Sequence, residues 1–336
     1  MKLGLSKALL IFFWIVGLSF FSCKKSNELH PVKLVGQAFG TEFHITYYDT
    51  DQRDLTKQVD SLFYLINKSL STYIPTSDIS KINKGDTSIF VDAYFKEVFQ
   101  KSKKVYNETN GIFDPTIDVL VNAWGFGPQN PLVRPDSLKI KELLTLVGFD
   151  KVQLTNGKII KTNNSIYLGF NAIAKGYAVD VVARFLESKN IMNYLVEIGG
   201  EIRARGNNQT RKAPWKMGIE EPNFDGARSL KKIIELKDEA IATSGNYRKF
   251  KIDSISGKKY AHILNTKTGY PSQNSLLSVS VIAKLDCADV DAYATALMAM
   301  PLEDAKNFLD RHQELKGFLI YSNNDSNVET FATSNF

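Results

Sequence analysis

Asp291 and Thr295 stand four residues apart in ADVDAYATALMAM, the run from Ala288 to Met300. On a helix that spacing puts a carboxylate and a hydroxyl on one face. Such a pair offers the oxygen ligands Mg²⁺ prefers and leaves positions for water and substrate phosphate. The same residues also suit an acidic helix start, with Asp289, and a packed threonine. Lys175 precedes Gly176 in NAIAKGYAVD, Asn171 to Asp180. Small residues there let backbone approach a ligand, a helix N-terminus supplies amide donors for phosphate, and Lys175 adds a point charge. An exposed lysine at a helix start is the plainer alternative. His262 follows Lys259-Tyr260-Ala261, and its ordinary pKa near neutrality suits a general base. A strand histidine held by a backbone bond is the other reading. The four histidines, His30, His44, His262 and His312, do not fall at zinc-ligand spacing.

The elements that must position these groups show as periodicities. Leu55, Val59, Leu62, Phe63, Ile66 and Leu70 recur at helical spacing, as do Tyr94, Phe95, Val98, Phe99 and Val105. Ala178 to Leu186 predicts a third helix, Ala292 to Met300 a buried fourth, and Leu302 to Leu309 a fifth. Strand-like runs cover Leu34–Tyr48, Lys158–Leu168, Tyr194–Arg205, Leu276–Ala283 and Phe318–Tyr321. Asn163-Asn164 and Asn323-Asn324-Asp325 predict hairpins, and Gly199-Gly200 a bulge or close backbone approach. Thr243, Ser244 and Gly245 read as the lead into a strand. Hairpins mixed with helices predict an α+β fold, one body with antiparallel or mixed sheet and packed helices. No linker divides the chain.

The chain has 336 residues, 43% hydrophobic and 23% charged, with a net charge of +6. That modest, dispersed excess argues against nucleic acid as a partner and is compatible with a small anionic ligand. Mean hydropathy is −0.18, which excludes a polytopic membrane protein. No Walker A, H-E-x-x-H, G-x-S-x-G or complete G-x-G-x-x-G occurs. The N-terminus carries Lys2 and Lys7, an apolar run from Ala8 to Phe21, and then Ser22-Cys23. This reads as an export signal over 1–22, with Cys23 as an acylated first mature residue in the manner of a bacterial lipobox; a plain signal anchor with an incidental cysteine is the alternative. Residues 23–33 then form a tether, and 34–336 the folded domain. Lipidated Cys23 would leave Cys287 as the only thiol, so no internal disulfide is expected.

Eight strings fall in order: Phe39-Gly40-Thr41, LSTYIPTSDISKIN from Leu70, NGIFDPTIDVLVNAWGFG from Asn110, NAIAKGYAVD, VEIGGEIRARG from Val196, ATSGNYRKF from Ala242, KKYAHILNTKTGYP from Lys258, and ADVDAYATALMAM. Together they closely resemble the ApbE family, the periplasmic FAD:protein FMN transferases, from about Gly36 to the C-terminus. The resemblance implies FAD and Mg²⁺ as ligands. It implies transfer of FMN onto a Thr or Ser of an acceptor protein with release of AMP. Typical acceptors are subunits of the sodium-translocating NADH:quinone oxidoreductase (Nqr) and the related Rnf complex. It also implies a lipid-anchored, periplasm-facing place in a bacterial cell envelope.

By the same resemblance, the carbonyl of Ala172 joins Asp291 and Thr295 as a magnesium ligand. Phe39, Tyr73, Ile112, Phe113, Asp114, Lys175 and Ile263 take FAD-contacting positions; taken singly, Asp114 before Pro115 also reads as an ordinary turn residue, and Phe39 and Tyr73 as core aromatics. His262, or a nearby carboxylate, becomes the base for the acceptor hydroxyl, and Trp124 is structural support. One departure stands out. Many members carry an FAD-contacting Asp three residues before the Ala172 position, where this chain has Gly169; the role is lost or met by Asn171. Hydrolysis of FAD to FMN and AMP is the alternative activity. A lipid-anchored flavin-binding module without chemistry is an alternative of another class.

Overall fold

A computed structural model describes residues 29–129, 135–223, 229–246, 250–252, 259–325 and 327–336. The strands are β1 (Pro31–Ala38), β2 (Thr41–Tyr48), β3 (Val152–Thr155), β4 (Lys158–Lys161), β5 (Tyr194–Ile198), β6 (Glu201–Arg205), β7 (Trp215–Glu220), β8 (Leu230–Leu236), β9 (Glu239–Gly245), β10 (Phe250–Ile252), β11 (Lys259–Ala261), β12 (Leu276–Ala283), β13 (Lys316–Ser322) and β14 (Val328–Ala332). The helices are α1 (Thr56–Leu70), α2 (Asp78–Asn83), α3 (Ala93–Glu108), α4 (Asp118–Ala123), α5 (Ser137–Leu144), α6 (Ala174–Ser188), α7 (Cys287–Ala299) and α8 (Leu302–Arg311).

Eight strands form one sheet in the order β1-β2-β5-β6-β9-β12-β13-β14. Every neighbouring pair is antiparallel. Alternation along the strands sends side chains to opposite faces. Tyr194, Val196, Ile198, Ala240, Ala242, Val279, Val281 and Leu319 join the main core with the helices. Leu195, Ile202, Ile241, Ile282, Phe318 and Ile320 pack on the other face with Trp215, Ile219, Ile234 and Leu236 of the β7–β8 ribbon. Helices on one face and a ribbon on the other make the α+β body that the sequence predicts.

Helix α7 is central. Twelve of its thirteen residues are buried, so it is covered on all sides, as an apolar helix must be. Its first two amide groups are held from α6: Cys287 N–H donates to Asp180 Oδ1 at 2.9 Å and Ala288 N–H to Oδ2 at 2.8 Å. Arg203 on β6 pairs with the same carboxylate at 2.7 Å. Cys287 is a buried free thiol.

Several elements differ from the sequence reading. The Leu34–Tyr48 run is two strands, because Phe39 and Gly40 both take positive φ, 52° and 75°, and close a two-residue hairpin. Gly199-Gly200 likewise turns the chain between β5 and β6, with φ of 64° and 103°. Only Lys158–Lys161 of the Lys158–Leu168 run pairs, and its hairpin turns at Asn156-Gly157 rather than at Asn163-Asn164. Thr243 to Gly245 end β9 instead of leading into a strand. Helix α7 starts five residues before Ala292. The tether assigned to 23–33 is too long at its end, since β1 begins at Pro31, paired with Tyr48; proline is tolerated there because β1 is an edge strand. The export segment, Cys23 and residues 24–28 lie outside the described residues. Among the described residues no helix is long and apolar enough to cross a membrane.

Candidate active site

Asp291 and Thr295 lie one turn apart on α7, the first 3% exposed and the second half-buried. The Asp291 Oδ2 accepts a 3.1 Å bond from the Gly176 N–H of α6. Gly176 is the third residue of α6, so its N–H is one of the donors that a helix start leaves without an intrahelical acceptor. Asp291 supplies that acceptor from α7, and the Ala172 carbonyl lies four residues back along the chain, before the helix begins. Thr295 Oγ1 lies 3.3 Å from Ser244 Oγ of β9. Lys175, next to Gly176, pairs with Glu201, the first residue of β6. Glu201 is buried and its second oxygen, Oε2, has no hydrogen-bond partner among the described residues.

Burial pushes the Asp291 carboxyl up to about 7, with Lys175 opposing the rise and Glu201 adding to it. Burial alone would lower the Lys175 pKa, but Glu201 and then Asp291 outweigh it and hold the amine above the ordinary lysine value. Two carboxylates facing one ammonium leave a net negative charge and an unsatisfied oxygen in a buried place. That is a fit for a hard cation with oxygen ligands, held by one carboxylate, a hydroxyl and a carbonyl. Among the described residues no group of three His, Cys, Asp or Glu could hold a metal by itself.

The residues assigned to the flavin nucleotide fall into two sets. Tyr73, just past α1, is 61% exposed, and partial burial and the nearby Asp118 carboxylate raise its phenol pKa. Phe39 is half-buried in the β1–β2 turn and meets Phe63 edge-on at 5.3 Å. Ile112 is half-buried. Phe113 and Asp114 instead point into the fold. Phe113 belongs to the main core, and Asp114 accepts from Thr116 N–H (2.8 Å), Thr116 Oγ1–H (2.6 Å) and Phe149 N–H (3.2 Å). Oδ1 thus organises the local turn, and Oδ2 ties that turn to Phe149, 35 residues further on. Ile263 is buried and its carbonyl accepts from Ser272 N–H at 2.8 Å. His262, half-buried, directly follows β11. Trp124 donates to the Gly269 carbonyl at 2.9 Å, the supporting role expected of it.

The description "ApbE family" belongs to the family model that matches residues 39–319. The chain belongs to the ApbE family. An FAD:protein FMN transferase of Haemophilus influenzae is 33% identical over 92% of this chain and 91% of its own length. One of Vibrio cholerae is 34% identical over 96% and 97%. Among solved structures, the flavin transferase ApbE from Vibrio cholerae superposes with a TM-score of 0.81 at 34% identity, covering 92% of this chain and 98% of that one. The apo flavinyl transferase ApbE of Pseudomonas stutzeri gives 0.82 at 28% identity, covering 92% and 96%.

Two residues of this ApbE-family chain escaped the sequence reading. Glu201 had one signal, its place directly after Gly199-Gly200. Asp118 had almost none. It opens α4, and its Oδ2 accepts from Asn171 Nδ2 at 2.9 Å. Burial pushes Asp118 up to about 6, Asn171 opposing and Asp114 adding. A carboxyl whose folded pKa lies above its unfolded value of 3.8 holds its proton more tightly when folded. Its contribution to stability is therefore largest below pH 4 and is lost as pH rises through 6. About two pKa units correspond to roughly 3 kcal/mol at most. Asp118→Asn, which never ionises, should be close to the parent in stability at pH 4 and more stable at pH 7.5. Thermal melts of both proteins across that range check this; parallel curves would show that Asp118 ionises without cost.

Proposed function

We propose that this chain is an FAD:protein FMN transferase. It moves FMN from FAD to a Thr or Ser hydroxyl of an acceptor protein and releases AMP. What supports the reading most is that relatives bearing this name match over nine-tenths of both chains at 33–34% identity. Lys175, Glu201 and Asp291 also influence one another in a buried place with a carboxylate to spare, and Thr295 lies one turn along α7 from Asp291.

Asp291, Thr295 and the Ala172 carbonyl would hold Mg²⁺, with Glu201 near enough in charge to favour it. When bound, that ion supplies charge neutralisation to a diphosphate and to the departing phosphate. The chain's own residues do the rest. Lys175, oriented by Glu201, offers a cation to the diphosphate. Tyr73 and Phe39 offer aromatic surface to a ring. The acceptor hydroxyl attacks the FMN-side phosphorus in line, the P–O bond to AMP breaks, and His262 or a nearby carboxylate takes the hydroxyl proton. Positioning and charge account for most of the acceleration. The acceptor is a redox subunit of the Nqr/Rnf type. Cys23 is the lipid attachment site, and the enzyme faces the periplasm.

Incubating the full chain with FAD, Mg²⁺ and an acceptor subunit should give AMP and a fluorescent acceptor band that survives denaturing electrophoresis. AMP without the band would make the protein a pyrophosphatase. Intact FAD recovered from the protein would make it a binding module.

A further inference from the structure

Gly169 and Asp118 share one volume. A Cβ built on Gly169 would lie 1.6 Å from Asp118 Oδ2, 2.4 Å from its Cγ and 3.0 Å from its Cβ. Gly169 does not have positive φ, so its backbone would accept any residue. What excludes a side chain there is the carboxylate arriving from α4. A side chain at 169 would displace that carboxylate, so the slot holds one group, supplied from either of two backbone positions 51 residues apart in sequence.

The occupant is also short of donors. Asp118 is 9% exposed, and among the described residues no cation pairs with it. Among the described residues its hydrogen bond comes from one neutral amide, Asn171 Nδ2. A buried anion with a single amide donor calls for more. Its neighbourhood faces outward: Asn171 is exposed, its Nδ2 also lies 3.4 Å from Thr72 Oγ1, and the Tyr73 ring beyond is largely open. One residue after Asn171 comes the Ala172 carbonyl.

We infer that Asp118 is a nucleotide-binding residue of this chain, accepting a hydrogen bond from a hydroxyl or N–H of FAD, and that Gly169 is the glycine this arrangement requires. The inference rests on the functional reading above. It gives the departure at position 169 a steric meaning: the carboxylate is relocated, not lost.

The test compares four full-length proteins, namely the parent, Asp118→Gly, Gly169→Asp and the double variant. Glycine is used at 118 because the Asp118 Cβ itself crowds the slot. FAD binding is measured by quenching of flavin fluorescence, and folding by thermal melts without FAD. Each single variant should bind FAD about tenfold or more weakly, the strength expected of a lost bond to a charged group. The double variant should return to within about threefold of the parent and recover its melting temperature. If a single variant does not fold, the double variant against the parent decides alone. An Asp118→Gly protein that binds like the parent, or a double variant that stays unfolded or binds no better than the singles, overturns the inference. A parent that binds no FAD overturns the functional reading with it, so the two failures are distinguishable.

Discussion

Release of AMP from FAD by the Asp291→Asn protein is expected to fall at least about 10³-fold, some 4 kcal/mol of barrier, while the protein stays folded. Asparagine keeps an oxygen for the Gly176 N–H and nearly the same volume in the packed α7. What it removes is charge. Burial already presses the Asp291 carboxyl up to about 7, so a neutral side chain relieves a cost and should not lower the melting temperature above pH 7. It also leaves Lys175 and Glu201 balanced, with no negative charge over for a divalent cation. Chelation by EDTA should therefore silence the parent and change the variant no further, because both perturbations remove one thing. AMP release from the variant at a tenth of the parent rate would detach Asp291 from the metal role.

Gly176→Ala should destabilise the chain by more than about 3 kcal/mol, at or beyond the upper range for overpacking. Helix propensity alone predicts the opposite sign, a gain of about 1 kcal/mol for alanine over glycine inside a helix. The structure decides between them. A Cβ at 176 would stand 2.4 Å from the Cys287 carbonyl oxygen, 2.7 Å from its carbon and 2.8 Å from Asp291 Cβ. Two of these are backbone atoms of a helix enclosed on every side and clamped at its start by Asp180. None of them is the loose end of a side chain. Urea unfolding of parent and variant settles the sign, and an alanine protein as stable as the parent would mean that α6 and α7 can move apart.

Helical periodicity was the most legible signal. The apolar spacing of Val59, Phe63, Ile66 and Leu70 marks α1 because that helix has one wet face. It marks α7 poorly at its start, since Cys287 to Asp291 are buried in spite of two aspartates and carry no stripe. Hairpins were legible only where their turns were weighed by type. Asn156-Gly157 carries the Asn-Gly signal of a two-residue turn, as Asn110-Gly111 also does, and only the first closes a hairpin, between β3 and β4. Phe39 at positive φ has no signature, because a bulky residue there goes against local preference and is held by its packing on Phe63.

The site divides along the same line. Asp291 and Thr295 were legible as residue types at a helical spacing, and Lys175 as a charge beside a glycine at a helix start. The pairing of Lys175 with Glu201 was not, because it joins a helix start to a strand 26 residues on and depends on the sheet. Asp114 reads identically as ligand or turn residue; its two bonds from Thr116 are local, while the one from Phe149, 35 residues on, depends on the fold and has no sequence signature.

Helix α7 has one further consequence. The helix that fills the middle of the molecule is also the one that carries two of the proposed metal donors, so few substitutions there reach chemistry without stability. A substitution that repacks α7 moves both oxygens, and only a near-isosteric one such as Asp291→Asn retunes a donor and spares the packing. Divergence among such proteins in acceptor choice should therefore accumulate on the wet faces of α1 and α3 and in the surface turns, while α7 changes least.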